Sequence, residues 1–421
     1  MYLNPEWPEL IRKAVTEAEE ALHCQLPKIQ EISAHNHEKV LKAFQAERVS
    51  TYHLQGTTGY GIGDSGREVL DRVFARILGT EAALVRGQFV SGTHAISAAL
   101  FGVLRPGDHV ISVSGPPYDT LEEVIGLRGK GQGSLLDFDV SYDDIPLNSQ
   151  GEIQYELLSK CITDKTRMLM VQRSRGYEWR NSIMVAQLKE FVNFVRNNYP
   201  QMIIFVDNCY GELVEKQEPG DIGVDLMAGS LIKNLGGSLA PTGGYVAGRS
   251  DLVKLTAQRL TAPGIGEHMG ATLEWQRLFY QGIFLSPLTV SESIKGAIFS
   301  AAFWRALGFE VHPEPEGPRT DLIQAVKLGS RDKMISFCRG IQSGSPVDSH
   351  VFPIPSEMPG YENEVIMAGG TFIQGSTSEF SADGPLREPY IVYQQGGISS
   401  TYVQMGNVLA ALNLWQQGLL S

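Results

Sequence analysis

Between residues 82 and 248 the chain carries five short, nearly unbroken apolar runs: AALVR (82–86), HVISVS (109–114), RMLMVQ (167–172), MIIFVDN (202–208) and GYVAG (244–248). Segments with helical spacing separate them. A strand with one wet face alternates apolar and polar residues, whereas a run apolar throughout is covered on both faces. Such strands interleaved with helices build an α/β fold around a mixed, mostly parallel sheet. In open sheets of this kind ligands bind beyond the carboxyl ends of the strands. Chemistry is therefore expected in the stretches that follow the runs, SGPPYDT, RSRGYEWR and DNCYGE.

The flanks complete the domain plan. Residues 5–50 have amphipathic helical spacing, and 1–50 is expected to form an N-terminal helical arm. A glycine-rich loop, TYHLQGTTGYGIGDSGR (51–67), leads into a helix at REVLDRVFARILG, and 51–285 forms the expected large α/β domain. PLTVSESIKGAIFSAAFWRALG then reads as one long helix. Short elements follow at TDLIQAVKLG, RDKMISFCRGIQ, EVIMAGGTF and PYIVYQQGG, with a last helix near 400–419, so 286–421 reads as a smaller α+β domain.

Composition narrows the class. A hydrophobic share of 43% with 19% charged residues fits a folded globular chain rather than a disordered one. The net charge is −12 and no basic run occurs, which excludes nucleic acid as an expected partner. The four cysteines lie far apart without C-x-x-C spacing, against a disulfide frame or a zinc knuckle. The opening MYLNPEWPELIRK has no apolar signal-like core and no run of 18 apolar residues exists, so the expectation is a cytoplasmic protein with no membrane partner.

Three motifs mislead by spelling. Gly61-x-Gly63-x-x-Gly66 matches a dinucleotide fingerprint, but no strand precedes it. GDSG (63–66) spells a serine-protease nucleophile loop in a chain without the all-β pattern. His35 and His37 have no further ligands at zinc-like spacing, and no metal is expected.

A fourth feature is harder to dismiss. Lys233 is the only charged residue in GSLIKNLGGSLAPTGGYVAG, a stretch suited to close backbone packing. A buried amine is costly unless neutralised or bonded, and burial is expected to lower its pKa. A lysine with a lowered pKa is suited to form an imine with a carbonyl group. Other parts accompany it. SGTHAISAAL begins with Ser91, Gly92 and Thr93 at a helix N-terminus, where free N–H groups hold a phosphate. Tyr118 follows two stiffening prolines and can stack on a flat ligand. Asp207 ends a buried strand, and Ser230 lies three residues before the lysine, where it can add a hydroxyl to the phosphate. Together these suit pyridoxal 5'-phosphate as cofactor.

The chain resembles the pyridoxal-phosphate enzymes of the cysteine/methionine metabolism group, fold type I. More closely, it resembles the methionine γ-lyase-like, "aluminium resistance" carbon–sulfur lyases. The resemblance is carried by SGTHAISAALFGVLRPGD, GPPYDTLEEVIG, VQRSRGYEWR, VDNCYGELVE, AGSLIKNLGG, APTGGYVAGR, RLTAPGIG and MPGYENEVIMAGGTFIQGS. It implies that Lys233 anchors the cofactor and that Asp207 pairs with its ring nitrogen. It implies phosphate contacts from Gly92, Thr93 and Ser230, and Tyr118 over the ring. It also implies a homodimer or homotetramer with shared sites, and Tyr60 is the expected tyrosine that reaches the other subunit's phosphate.

The reaction so implied is β- or γ-elimination from a cystathionine-, cysteine- or methionine-type substrate, giving keto acid, ammonia and a thiol. Lys233 is the expected base and Tyr118 the expected acid for the departing thiolate. Arg387, Arg173 and Arg175 are the candidates for the substrate carboxylate. The chain departs from better-studied relatives. Tyr60 is followed by Gly61-Ile62 instead of the Tyr-x-Arg of those enzymes, and Ile232 precedes the lysine where they carry a hydroxyl. Another reaction of the same cofactor, such as transamination, and a non-catalytic cofactor-holding protein are the alternatives.

Overall fold

The computed structural model describes residues 4–129, 133–358 and 361–420. The first three residues of the expected arm, the last residue of the chain, and Pro359 and Gly360 of MPGYENEVIMAGGTFIQGS lie outside the described residues.

A long helix α1 (Glu9–Ala46) and a shorter α2 (Ser65–Leu78) precede the main sheet. Its strands are β1 (Ala82–Arg86), β2 (His109–Ser112), β3 (Ser141–Asp144), β4 (Thr166–Gln172), β5 (Ile203–Asp207), β6 (Leu226–Ser230) and β7 (Gly244–Gly248), in the order β1-β7-β6-β5-β4-β2-β3. Among these seven strands β7 runs opposite to the other six, so both of its pairings, with β1 and β6, are antiparallel and the rest are parallel. Helices α3 (Gly92–Val103), α4 (Asp119–Ile125), α5 (Tyr155–Cys161), α6 (Val185–Asn198) and α7 (Ser250–Leu260) fill the connections between and after these strands.

The unbroken apolar runs resolve into two alternating sets, because successive strand side chains point to opposite faces. Leu169, Val171, Ile204 and Val206 join one core, with α1, α2, α6 and the later helices. Met168, Met170, Ile203 and Phe205 join the other, with α3 and α7. Strand β6, LMAGS, lacks that signature and was not expected as a strand. Its residues are small because the backbone is crowded: a Cβ at Gly229 would lie 2.6 Å from Tyr245 and 2.7 Å from Glu212.

Helix α8 (Gln276–Ala306) begins upstream of Pro287, where the expected long helix started, and runs unbroken across position 285. It packs against α1, with Phe44 edge-on to Tyr280 (5.9 Å between ring centres) and Phe284 (5.7 Å). Beyond it lies a second sheet of β8 (Glu310–His312), β9 (Gln324–Lys327), β10 (Val365–Ala368), β11 (Ser381–Pro385) and β12 (Ile391–Gln395), ordered β10-β11-β12-β9-β8 and wholly antiparallel. Helices α9 (Arg331–Ser343) and α10 (Ser400–Gln416) pack together and with α8 form one side of this unit. Among the described residues no helix is long and apolar enough to cross a membrane.

Candidate active site

Parallel strands β4, β5 and β6 end at one edge of the main sheet, where Gln172 pairs with Asp207 and Asp207 with Ala228. The segments leaving those ends must converge. A cleft of about 560 Å³ lies there, closed on the far side by residues of the second sheet. Ser91, Gly92, Thr93, Tyr118, Asp207, Ser230 and Lys233 all line it.

Each is placed by its element. Ser91 caps α3, its Oγ accepting from His94 N at 3.1 Å. The remaining N–H groups of that first turn have no intrahelical acceptor. Gly92 lets the turn approach β6, since a Cβ there would lie 3.2 Å from Ser230 Cβ. Tyr118 leads into α4; its N–H donates to Gln172 Oε1 (3.0 Å) and its hydroxyl shares a hydrogen bond with Thr93 Oγ1 (3.0 Å). Asp207 is buried at the end of β5 and accepts from Cys209 N (3.1 Å). Burial pushes its pKa up, and Lys233 opposes the shift.

Lys233 stands half-buried just after β6, its Nζ 3.8 Å from the centre of the Tyr210 ring. The next side chain, Asn234, donates to Tyr210 O (3.0 Å) and Glu212 O (2.8 Å), so the lysine's turn is tied to the loop after β5. The expected fall in lysine pKa is reversed here. Burial does push it down, but Cys209, Tyr210, Asp207 and Tyr118 crowd around the amine and together hold the ammonium well above the usual lysine range. Sequence reasoning saw the desolvation and missed the acidic and phenolic groups that outweigh it.

The arginines separate. Arg173 is not brought to the cleft. Its guanidinium is buried and donates to Asn208 Oδ1 (2.8 Å), Gly211 O (3.1 Å), Glu215 Oε1 (2.7 Å) and Thr320 Oγ1 (2.7 Å), so its donors are spent on holding loops together. Arg175 lines the cleft, yet Nη1 is engaged by His312 O at 2.8 Å and Nε lies 3.9 Å from Asp321. Arg387 is exposed at the cleft rim and makes no ion pair among the described residues. Tyr60 lies outside its own chain's cleft, with 74% of its surface exposed and its carbonyl accepting from Gly270 N (2.9 Å). The loop it sits on is pinned by buried Arg67, which donates to Gly61 O (2.9 Å), Gly270 O (2.7 Å) and His268 O (3.1 Å).

Several lining residues were not singled out beforehand: Cys209, Tyr210, Tyr177 and Asp383. The first two were within reach, because they follow Asp207 directly in DNCYGE. Asp383 lies in SADGP, whose glycine and proline read as a turn rather than as strand β11. His35 and His37 lie on α1, where His37 Nδ1 bonds Ser33 O (2.8 Å), and no cluster of three metal-ligating side chains occurs among the described residues.

The comparisons with known proteins agree over nearly the whole chain. The methionine gamma-lyase family matches residues 11–415. The uncharacterized protein YnbB of Bacillus subtilis is 48% identical over 413 residues, 98% of each chain. A solved structure from Listeria innocua, described as a proposed cystathionine beta-lyase involved in aluminum resistance, is 52% identical with a TM-score of 0.93, covering 96% of this chain and 99% of that one. A carbon-sulfur lyase involved in aluminum resistance from Clostridium novyi is 45% identical with a TM-score of 0.92 over 96% of both chains. The distant pyridoxal-5'-phosphate dependent protein YhfS of Escherichia coli, 15% identical with a TM-score of 0.61 over 91% of this chain and 97% of that one, shares the fold. The architecture is thus that of the fold type I pyridoxal-phosphate enzymes, a mixed, mostly parallel sheet joined to a smaller unit. The chain belongs to the methionine gamma-lyase family, which uses pyridoxal 5'-phosphate.

Proposed function

We propose that the protein is a pyridoxal-phosphate-dependent carbon–sulfur lyase. It eliminates a thiol from the β or γ carbon of a cystathionine-, cysteine- or methionine-type amino acid, leaving keto acid and ammonia. One observation carries the reading: Lys233, Asp207, Tyr118 and the N-terminus of α3 line a single cleft of about 560 Å³. The donor set fits the cofactor. A crowded amine suits an aldehyde, a buried carboxyl suits a protonated ring nitrogen, and the free N–H groups of Gly92 and Thr93 with the Ser91 and Ser230 hydroxyls suit a phosphate. The names of the relatives from Listeria innocua and Clostridium novyi support the reaction class.

When bound, the cofactor supplies an electron sink for the carbanion formed at the substrate Cα. The rest of the chemistry falls to the chain. Lys233 Nζ would hold the cofactor, and the same amine would serve as the base that takes the Cα proton. Asp207 would keep a proton on the cofactor's ring nitrogen, and its burial would make that charge pair strong. Tyr118 offers the flat face for the ring. We assign the substrate carboxylate to Arg387, whose guanidinium has no ion pair among the described residues, ahead of Arg175, which is held by His312 and Asp321. Exposed Tyr60 is assigned to the site of a second copy, as in a shared-site dimer.

The test follows absorbance of the cofactor-loaded protein while cystathionine, cysteine and methionine are added, with keto acid, ammonia and thiol assayed in parallel. All three products should appear together with at least one substrate. Keto acid without ammonia, dependent on a second keto acid, would replace elimination by transamination.

A further inference from the structure

The second sheet presents one face to the cleft. In adjacent strands β10, β11 and β12, Met367 pairs with Asp383 and Asp383 with Tyr393, while Ser381 pairs with Gln395. All five line the cleft, because alternate residues share a face. Their neighbours Ala368, Ala382 and Val392 belong to the core behind.

Asp383 is the anomaly on this wall. It is 4% exposed, and neither Arg nor Lys pairs with it among the described residues. Gln395 Nε2 donates to its Oδ2 at 3.1 Å and the Tyr177 hydroxyl acts on the carboxyl from the cleft, while among the described residues Oδ1 meets no donor at good hydrogen-bond geometry. Two further hydroxyls lining the cleft, Ser381 Oγ on β11 and Thr377 Oγ1 in the loop before it, have no partner among the described residues. A buried carboxyl oxygen without a partner is costly, so such a group either carries a proton or awaits a donor from a ligand.

Resting on the lyase reading above, we infer that Asp383 is the proton donor to the departing sulfur, with Gln395 orienting its carboxyl. For a β leaving group, the Cα proton goes to Lys233, the electron pair of the Cα–H bond becomes the π bond between Cα and Cβ, and the Cβ–S pair leaves on sulfur. The proton passes from Asp383 to that sulfur, giving a free thiol and a carboxylate that water reprotonates. Tyr118, the donor expected from sequence, is poorly suited. Its hydroxyl is tied to Thr93, and burial and Asp207 push its pKa far up, beyond that of any thiol. At Asp383 burial pushes the carboxyl up to about 7, partly offset by Tyr177, Lys233 and Gln395, so it holds a proton near neutrality and is more acidic than a thiol of about 8.5. The groups facing it are Lys233 from the turn after β6, Tyr177 from the loop after β4, Tyr210 from the loop after β5, Tyr361 before β10 and Tyr393 on β12, while Cys338 on α9 lies behind the sheet.

The experiment compares the cofactor-loaded parent with Asp383→Asn and Asp383→Glu on two leaving groups. Cystathionine or cysteine must release a thiolate, which needs a proton; β-chloroalanine releases chloride, which does not. Asp383→Asn should slow thiol release by roughly 10²-fold relative to its effect on chloride release, with partial recovery in Asp383→Glu. Infrared difference spectra of the apoprotein across pH 7 should show titrating protonated-carboxyl absorption in the parent, and its Asp383 component should be missing in Asp383→Asn while the Glu212 component remains. Equal slowing for both leaving groups, undiminished thiol release, or an unchanged band would overturn the inference. A loaded parent that eliminates neither thiol nor chloride would instead overturn the lyase reading beneath it.

Discussion

The Lys233 amine lies over the Tyr210 ring, 3.8 Å from its centre, with the ring held by a loop residue in the left-handed region (φ 70°). A cation so placed over an aromatic face is stabilised by about 0.5–2 kcal/mol. The amine is thereby kept charged, whereas attack on an aldehyde needs it neutral. Cofactor uptake by apoprotein should accordingly accelerate as pH rises. Tyr210→Leu should shift that profile to lower pH by up to about one unit, since one unit corresponds to about 1.4 kcal/mol. Stopped-flow reconstitution at a series of pH values gives the readout; a profile that Tyr210→Leu leaves in place would discount the ring.

Asp207 tests the electron sink separately from the anchor. Asp207→Asn keeps the volume and the acceptor for Cys209 N but removes the charge that steadies a protonated ring nitrogen. The variant should still load cofactor covalently, as borohydride trapping and mass measurement would report. Its turnover should fall by roughly 10²-fold or more. Full turnover in Asp207→Asn would contradict the assigned role.

Arg173 and Arg387 should behave oppositely. Arg173→Ala strips a buried guanidinium from Glu215, Asn208 and Thr320 and leaves Glu215 without its cation. Arg173 is buried and Glu215 half-buried, so losing the pair and the guanidinium's other hydrogen bonds costs about 2–4 kcal/mol, and thermal or denaturant unfolding should register a clear loss. Arg387→Ala touches no buried network; it should raise KM for amino-acid substrates with stability nearly unchanged. A stable Arg173→Ala protein with a raised KM would reverse the two assignments.

These contrasts mark where sequence reading reached and where it stopped. Strands β4 and β5 were legible because their apolar runs serve two cores at once, and no loop sustains that pattern. Strand β6 was hidden, since Gly229 yields its side-chain volume to Tyr245 and Glu212. Lys233 and Asp207 stood out as charges in apolar surroundings, and their meeting in one cleft follows from the shared edge of parallel strands. Arg173 and Arg175 were indistinguishable, because two arginines at one strand end differ only in which neighbours fold back onto them. The charge state of Lys233 was misjudged for the same reason: desolvation can be read from one residue, but Cys209, Tyr210 and Tyr118 act only once the chain is folded around it. Asp383 belongs to a sheet assembled from segments that carry turn residues.

The last prediction concerns Glu212, which is 0% exposed behind the lysine. Its Oε1 accepts from Tyr245 Oη at 2.8 Å and its Oε2 has no partner. Burial pushes its pKa up to about 8; hydrogen bonds from its own N–H and Tyr245 pull it down, while Glu218 adds to the rise. An unfolded glutamate titrates near 4.3. Between those two values the folded chain holds a proton that the unfolded chain has released, so stability falls as pH rises through the window. Asp207, Glu218 and Asp383 are raised by burial as well and add to the same slope. Glu212→Gln keeps the acceptor for Tyr245 and removes one titrating group. Urea unfolding of apoprotein between pH 5 and 8 should therefore show a decline in the parent and a shallower one in the variant. A variant slope as steep as the parent's would mean that Glu212 is ionised throughout, and that a cation from elsewhere in the fold reaches its free oxygen.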